Sequence, residues 1–262
     1  MSELKTNKIS PATGTTTTLG DASDLFQLPA SAEIDIASGA TLDINGTVDF
    51  AGATVNNLPS GGFDSVQVFT SSGTWTRPSG ITKVIVHVIG AGGSGGGGRS
   101  SYNYTGTGGG AGGSAIKFIN VSSISTATVT IGALAAGAAI DASGTDGGDS
   151  TWADGTNTVT GNGGDGGLYG GDTYSEPGGT ASGGNINSQG GFGSAGPAPN
   201  TDGHGGGPGG ICCHGFGGSG GAMVRGNYDN DAKGYGHGGA GGAKNCTGGA
   251  SVPGLIVVWE YK

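Results

Sequence analysis

Apolar and polar positions alternate in short runs along the first part of the chain. Ile34 and Ile36, Leu42 and Ile44, and Val48 and Phe50 share one side, with Asp35, Asp43 and Asp49 on the other. This two-residue period marks half-buried strands. Gly39, Gly46 and Gly52 punctuate them at near-regular spacing, as a stack of very short strands requires. One such chain has too thin an apolar face to bury alone, and three copies about an axis would cover all three faces. A loose polar linker is the other reading of this stretch. Residues 60–64 read as a hinge.

From residue 65 the runs lengthen and gain β-branched and aromatic side chains. The pattern predicts strands at 65–70, 73–78, 83–89, 114–121, 127–131, 151–153, 156–160 and 255–261. No stretch carries a 3.6-residue apolar period with caps. The expected fold class is all-β: a short trimeric β-fibre shaft, then a small β-frame with glycine-rich insertions. The domains are 1–59 and 60–262, the second split into a β-frame (65–160 and 252–262) and a glycine-rich tip (161–249).

Composition changes how the insertions are read. The chain holds 64 glycines in 262 residues, and 33% of it is hydrophobic, too little for a core in proportion to its length. Glycine loses the most backbone entropy on folding, so a glycine field is ordered only inside a close-packed frame. Two apolar strands, 83–89 and 255–261, supply such bookends. Residues 161–249 read either as disorder or as a bundle of extended glycine helices with three residues per turn. These would be relatives of polyproline II, with amides bonded between neighbouring helices. Glycines come in blocks rather than at every third position, so a collagen register is excluded.

Net charge is −9 with 11% charged residues, which argues against nucleic-acid binding. The N-terminus has no apolar signal region, and the longest apolar runs fall far short of a membrane span. The product is expected to be made in a cytosol and to leave it by lysis or on a particle. Asn45, Asn103, Asn120 and Asn245 head chance N-x-S/T strings.

Candidate chemistry is sparse. The GxG strings open no helix and no GxxxxGK[ST] exists, so nucleotide binding is not expected. Asp146, Asp149, Asp229 and Asp231 lack a calcium-loop spacing and read as turn formers. Cys212, Cys213, Cys246, His204, His214 and His237 do not form two spaced ligand pairs, so no metal or other cofactor is assigned. The three cysteines read as small packed residues, with a disulfide from Cys246 to Cys212 or Cys213 left open. His87 sits mid-strand as a frame residue. The four glutamates (Glu3, Glu33, Glu176 and Glu260) have no aspartate partner for glycan cleavage, and no enzymatic activity is expected.

Binding falls to the aromatic clusters between glycine blocks: Tyr102, Tyr104, Tyr169, Tyr174, Phe192, Phe216, Tyr228 and Tyr235. Rings with a polar end give large contact area at low entropy cost, suited to sugars and exposed protein loops. The 161–249 loops rank above Tyr102 and Tyr104 because they hold more rings.

The order of the pieces resembles tailed-bacteriophage tail fibres carrying a glycine-rich receptor-binding domain. The residues behind the likeness are TSSGTWTRP with ITKVIVHVIGAGGSGGGG (70–78 and 81–98), then GGAGGSAIKFINV, ATVTIGALAAGA and GGDSTWADGTNTVTGNGGDGG, and finally GGASVPGLIVVWEYK. It spans nearly all of 65–262, and residues 9–55 are similar to particle-proximal fibre segments. A more distant likeness is to adhesins of T-even-like phages, whose tips are polyglycine helices with variable loops. The resemblance implies a homotrimer on the virion, docked to other tail proteins by its N-terminus. It also implies that the distal tip holds a bacterial surface glycan or outer-membrane protein. The alternatives are a non-viral glycine-rich structural protein and, less favoured, a tail-borne polysaccharide depolymerase. An antifreeze-like chain would need regular Thr or Ala arrays, and none is read in the sequence.

Overall fold

A computed structural model describes residues 62–101, 104–170, 174–196, 206–212 and 231–262. The chain divides into two units, Met1–Asn56 and Asn57–Lys262, and all described residues belong to the second. The alternating segment 33–55 and its expected trimeric shaft therefore lie outside the described residues.

Ten strands form two antiparallel five-stranded sheets, and among the described residues there is no α-helix. They are β1 (Phe63–Phe69), β2 (Gly73–Thr76), β3 (Lys83–Ile89), β4 (Ser114–Asn120), β5 (Thr126–Thr130), β6 (Ser150–Ala153), β7 (Thr158–Gly161), β8 (Ala181–Ser182), β9 (Ile186–Ser188) and β10 (Leu255–Tyr261). The first sheet runs β1-β10-β3-β4-β9 and the second β2-β5-β6-β7-β8. The all-β expectation is met. The two strands the sequence pattern does not predict, β8 and β9, are two and three residues long.

Alternation sets what each face does. Val84, Val86, Val88, Ile119, Ile256 and Val258 of the first sheet meet Trp75, Ala127, Val129, Trp152 and Val159 of the second. Trp75 and Trp152 lie at the centre, 5.1 Å apart between ring centroids and mutually tilted. The second sheet turns eight threonines outward: 74, 76, 126, 128, 130, 151, 158 and 160. The reading that no threonine array recurs is thus corrected. These residues are scattered over four short strands and become one surface only through strand register.

The described parts of the glycine-rich connections are ordered. Ten extended segments, helices I–X, span 90–99, 104–113, 132–140, 142–149, 161–170, 174–180, 189–196, 206–212, 236–243 and 246–254. The hydrogen bonds of helix I define their geometry. Amides of Gly90, Gly93, Gly96 and Arg99 donate to helix II, those of Ala91, Ser94 and Gly97 to helix IV, and those of Gly92, Gly95 and Gly98 to helix X. Each third residue returns to the same neighbour, as a helix with three residues per turn demands. Helix I also accepts from helices III, V and IX, through the Ala138, Gly164 and Gly239 amides among others, so six helices surround it.

Helix II repeats the arrangement. It donates to V, VII and IX and accepts from I, VI and VIII. Two central helices sharing neighbours V and IX account for all ten, in three layers: IV-V-VI, III-I-II-VII and X-IX-VIII. Successive helices run in opposite directions. Helices I and II join β3 to β4, III and IV join β5 to β6, V and VI join β7 to β8, and VII to X join β9 to β10. The two central helices therefore come from 90–113, which the sequence reading places in the β-frame (65–160) and not in the 161–249 tip.

Packing this close requires glycine. An added Cβ at Gly95 would fall on the carbonyl of Ala240, and one at Gly98 on that of Ala243. Polar side chains finish the lattice where a neighbouring carbonyl is missing. Asp149, Asp146 and the Ser143 hydroxyl, three residues apart on helix IV, accept from the amides of Gly163 (2.8 Å), Gly166 (2.9 Å) and Tyr169 (3.3 Å) on helix V. This corrects the reading of Asp146 and Asp149 as turn formers. They lie along an extended helix because its repeat matches that of the amides they satisfy. Asp231 similarly accepts from the Ala250 amide at 2.7 Å, and Asp229 lies outside the described residues.

Candidate functional site

The bundle has two unlike ends. One is fused to the strands. At the far end helices I, III, V, VII and IX end and helices II, IV, VI, VIII and X begin, so the chain reverses there between each pair. Two reversals use a non-glycine residue in the left-handed region, Asp141 (φ 61°) and Asn245 (φ 55°), the residue types that tolerate it best.

Arg99 ends central helix I at the middle of this surface. Its amide donates to Tyr104 O (3.0 Å), and its carbonyl accepts from the Asn245 amide (3.1 Å). Its Nε donates to Gly170 O at 2.6 Å. The guanidinium lies 5.0 Å from the ring centroid of Tyr169 and 5.6 Å from that of Tyr104, within cation–π range of both. Beside it, Asp141 accepts from the Ser100 hydroxyl (2.6 Å) and amide (3.0 Å). Those two bonds, with a smaller contribution from the Arg99 charge, hold the Asp141 carboxyl below the ordinary aspartate range. One guanidinium thus ties together reversals from helices I–II and V–VI.

The sequence-predicted rings separate by location. Tyr104 and Tyr169 meet over Arg99, and Tyr174 opens helix VI at the same end, strongly exposed. Phe192 is exposed on the flank of helix VII near the sheets, where Gly191 bonds Ile211. Tyr235 is at the opposite end, packed against Ile89, Cys212, Leu255 and Val257. Tyr102, Phe216 and Tyr228 lie outside the described residues. Sequence reasoning missed Arg99. The available signal was a lone arginine closing a four-glycine block three residues before Tyr102 and five before Tyr104.

The other candidates have structural surroundings. His87 is buried, 2.7 Å from Ser114 Oγ and stacked on Trp259. His237, in helix IX near the sheets, is buried with neither ring nitrogen hydrogen-bonded, and burial lowers its pKa. Asp165 is raised by partial burial and by the Asp146 charge. Cys212 packs on Ile89 and Leu255 at the sheet end, whereas the Cys246 carbonyl accepts from Gly98 near the far end. The eight residue steps from Gly90 to Gly98 span roughly 25 Å at about 3.1 Å each, so these two cysteines are too far apart to pair. Cys213 lies outside the described residues. No three His, Cys, Asp or Glu side chains converge where a metal could be held, among the described residues.

What this end offers chemically is a rigid polar-aromatic surface. Its elements are tyrosine rings, a guanidinium, a carboxylate and serine hydroxyls, on loops held by a backbone lattice. A family model described as a glycine-rich domain matches residues 67–257. No curated protein matches the chain.

Proposed function

The chain belongs to the glycine-rich domain family, and from that premise we propose that it is a tail-fibre protein of a tailed bacteriophage, presenting the far end of its glycine bundle to the bacterial surface. In this reading it is made in the host cytoplasm and carried on the virion as a homotrimer. Residues 1–59 form the tail-attachment segment and shaft, docking to other tail proteins through the N-terminus, and the protein acts by binding a surface glycan or outer-membrane protein rather than by catalysis. The observation that supports it best is the gathering of Tyr104 and Tyr169 over Arg99 at the end farthest from the sheets. Loops on a rigid scaffold can vary in sequence without disturbing the lattice beneath them, which suits a receptor-binding surface.

The test uses fluorescently labelled full chain on a panel of bacterial strains. Binding to a subset of strains is expected. Tyr169→Ala with Tyr174→Ala should lower it at least tenfold, while Phe192→Ala leaves it unchanged. Equal binding by all three proteins removes the far end as the binding surface.

One observation favours the non-viral alternative, an antifreeze-like structural protein: the eight outward threonines of the second sheet. A thermal-hysteresis measurement separates the two. The tail-fibre reading expects none.

A further inference from the structure

The outer faces of the two sheets differ in kind. The second sheet shows hydroxyls to water. On the first, strand register sets Val66, Trp259, Ile85 and Phe118 in one row across four strands. The adjoining row runs from Val68 through Val257, His87 and Ile116 to Ile186. The bundle end covers the part of this face near Leu255 and Ile89. In the middle of the sheet Val257 and His87 are buried and Ile85, Ile116 and Trp259 half-buried, and the face opens toward its two edges: Val66 is 46% exposed, Val68 57%, Phe118 54% and Ile186 54%. A chain with so few apolar residues has placed four of them in water on one sheet. Contiguous apolar patches on a protein surface mark interfaces.

We propose that this face is where copies of the chain meet, so that the first sheets of neighbouring subunits pack together in the homotrimer. The proposal rests on the tail-fibre reading for the number of copies but on the sheet for the surface. Two features favour a second copy as occupant. The chain carries a net charge of −9, so identical copies repel except through an uncharged region, and neither row contains a charged residue. Charge is confined to the rim, where Lys83 begins β3 and Lys262 pairs with Asp64. In addition, the segment read as a trimeric shaft precedes β1, the edge strand of this same sheet, across the hinge read at 60–64. Copies joined through that segment would hold their first sheets at a raised effective concentration.

A photo-cross-linking phenylalanine analogue in place of Phe118, in the otherwise unaltered full chain, tests this. Phe118 is exposed, so the substitution leaves the fold intact. Irradiation should shift the denatured band from 24.9 kDa to twice and three times that mass. Peptide mapping should place the adduct on β1, β9 or β10 of another copy. The same analogue at Tyr174 should give no chain-to-chain product. If light scattering shows a trimer but the Phe118 adduct is absent or within one chain, this interface is wrong and the trimeric reading stands. If scattering shows a monomer, both fail. Chain-to-chain adducts from Tyr174 as readily as from Phe118 would also overturn the assignment.

Discussion

The Trp75 indole nitrogen donates to Glu260 Oε1 at 2.7 Å, joining the two sheets through their shared core. Gln67 Nε2 donates to the same oxygen at 2.7 Å, and Ser65 Oγ to the other at 2.5 Å. The Glu260 carboxyl is therefore buried and held by three donors, so its polar atoms are matched as burial requires. Glu260→Ala would strand the Trp75 N–H in a core without an alternative acceptor. We expect a loss of about 3 kcal/mol in denaturant unfolding, against about 1 kcal/mol for Glu260→Gln, which retains an acceptor oxygen. Equal losses would mean that the pair of acceptor oxygens, which both variants lose, matters at this position, and not the single oxygen that Gln retains for Trp75.

The strands were legible where alternation was strong. Val84, Val86 and Val88 on one side of β3 and Trp75 on β2 announce a buried face without any structure. Ala181–Ser182 and Ile186–Ser188 do not, because segments of two and three residues cannot show a period. The glycine field could be read as helices or as disorder, since no side-chain pattern distinguishes them. The backbone amides decide it, and their partners lie in remote segments such as 90–99 and 246–254. The far-end site was half legible for the same reason. Tyr104 and Tyr169 stand out as rings in glycine, but only the path of the chain places Arg99 between them, and only that path sends Tyr235 to the opposite end.

At the far end, Asp141 ties the first reversal to the second through Ser100. Its carboxyl titrates below the ordinary value of 3.8. A depressed acid contributes above its unfolded pKa and loses that contribution as pH falls through the folded one. The reversal should thus stay tied at neutral pH and loosen only below 3.8. A carbon-detected NMR titration of the Asp141 carboxylate should give a midpoint under 3.8, moving back toward it in Ser100→Ala. A wild-type midpoint at 3.8 or above would discount the Ser100 bonds.

His237 gives a dependence in a higher range. Burial holds its folded pKa below 6.5, so the unfolded chain binds the extra proton first as pH falls. Stability should therefore rise with pH between the folded value and 6.5, then level off. Thermal midpoints at pH 7.5 and pH 5 should differ more for the wild type than for His237→Ala, which cannot titrate there. An equal difference in both proteins would show that this ring is not the group responsible.

Helix I finds room for the buried side chains of Ala91 and Ser94, but none at its closest approaches to its neighbours, of which Gly95 is one. At Gly95 an added Cβ would fall on the Ala240 carbonyl, and helix IX would have to move off. That movement would stretch the bonds from Gly239 to Gly93 and from Gly242 to Gly96, now 3.0 and 2.7 Å. The backbone there has no softer response, because each helix is also bonded to its other neighbours. Gly73, at the start of β2, has nothing within 4 Å of the same added atom. Gly95→Ala should therefore lower unfolding stability by about 3 kcal/mol or prevent folding altogether. Gly73→Ala should change it by about 0.5 kcal/mol or less, the ordinary range for an exposed position. Denaturant unfolding of the two variants side by side checks this, with soluble yield as the readout if the first does not fold. Equal tolerance at the two positions would mean that the helices are not packed as a hydrogen-bonded lattice.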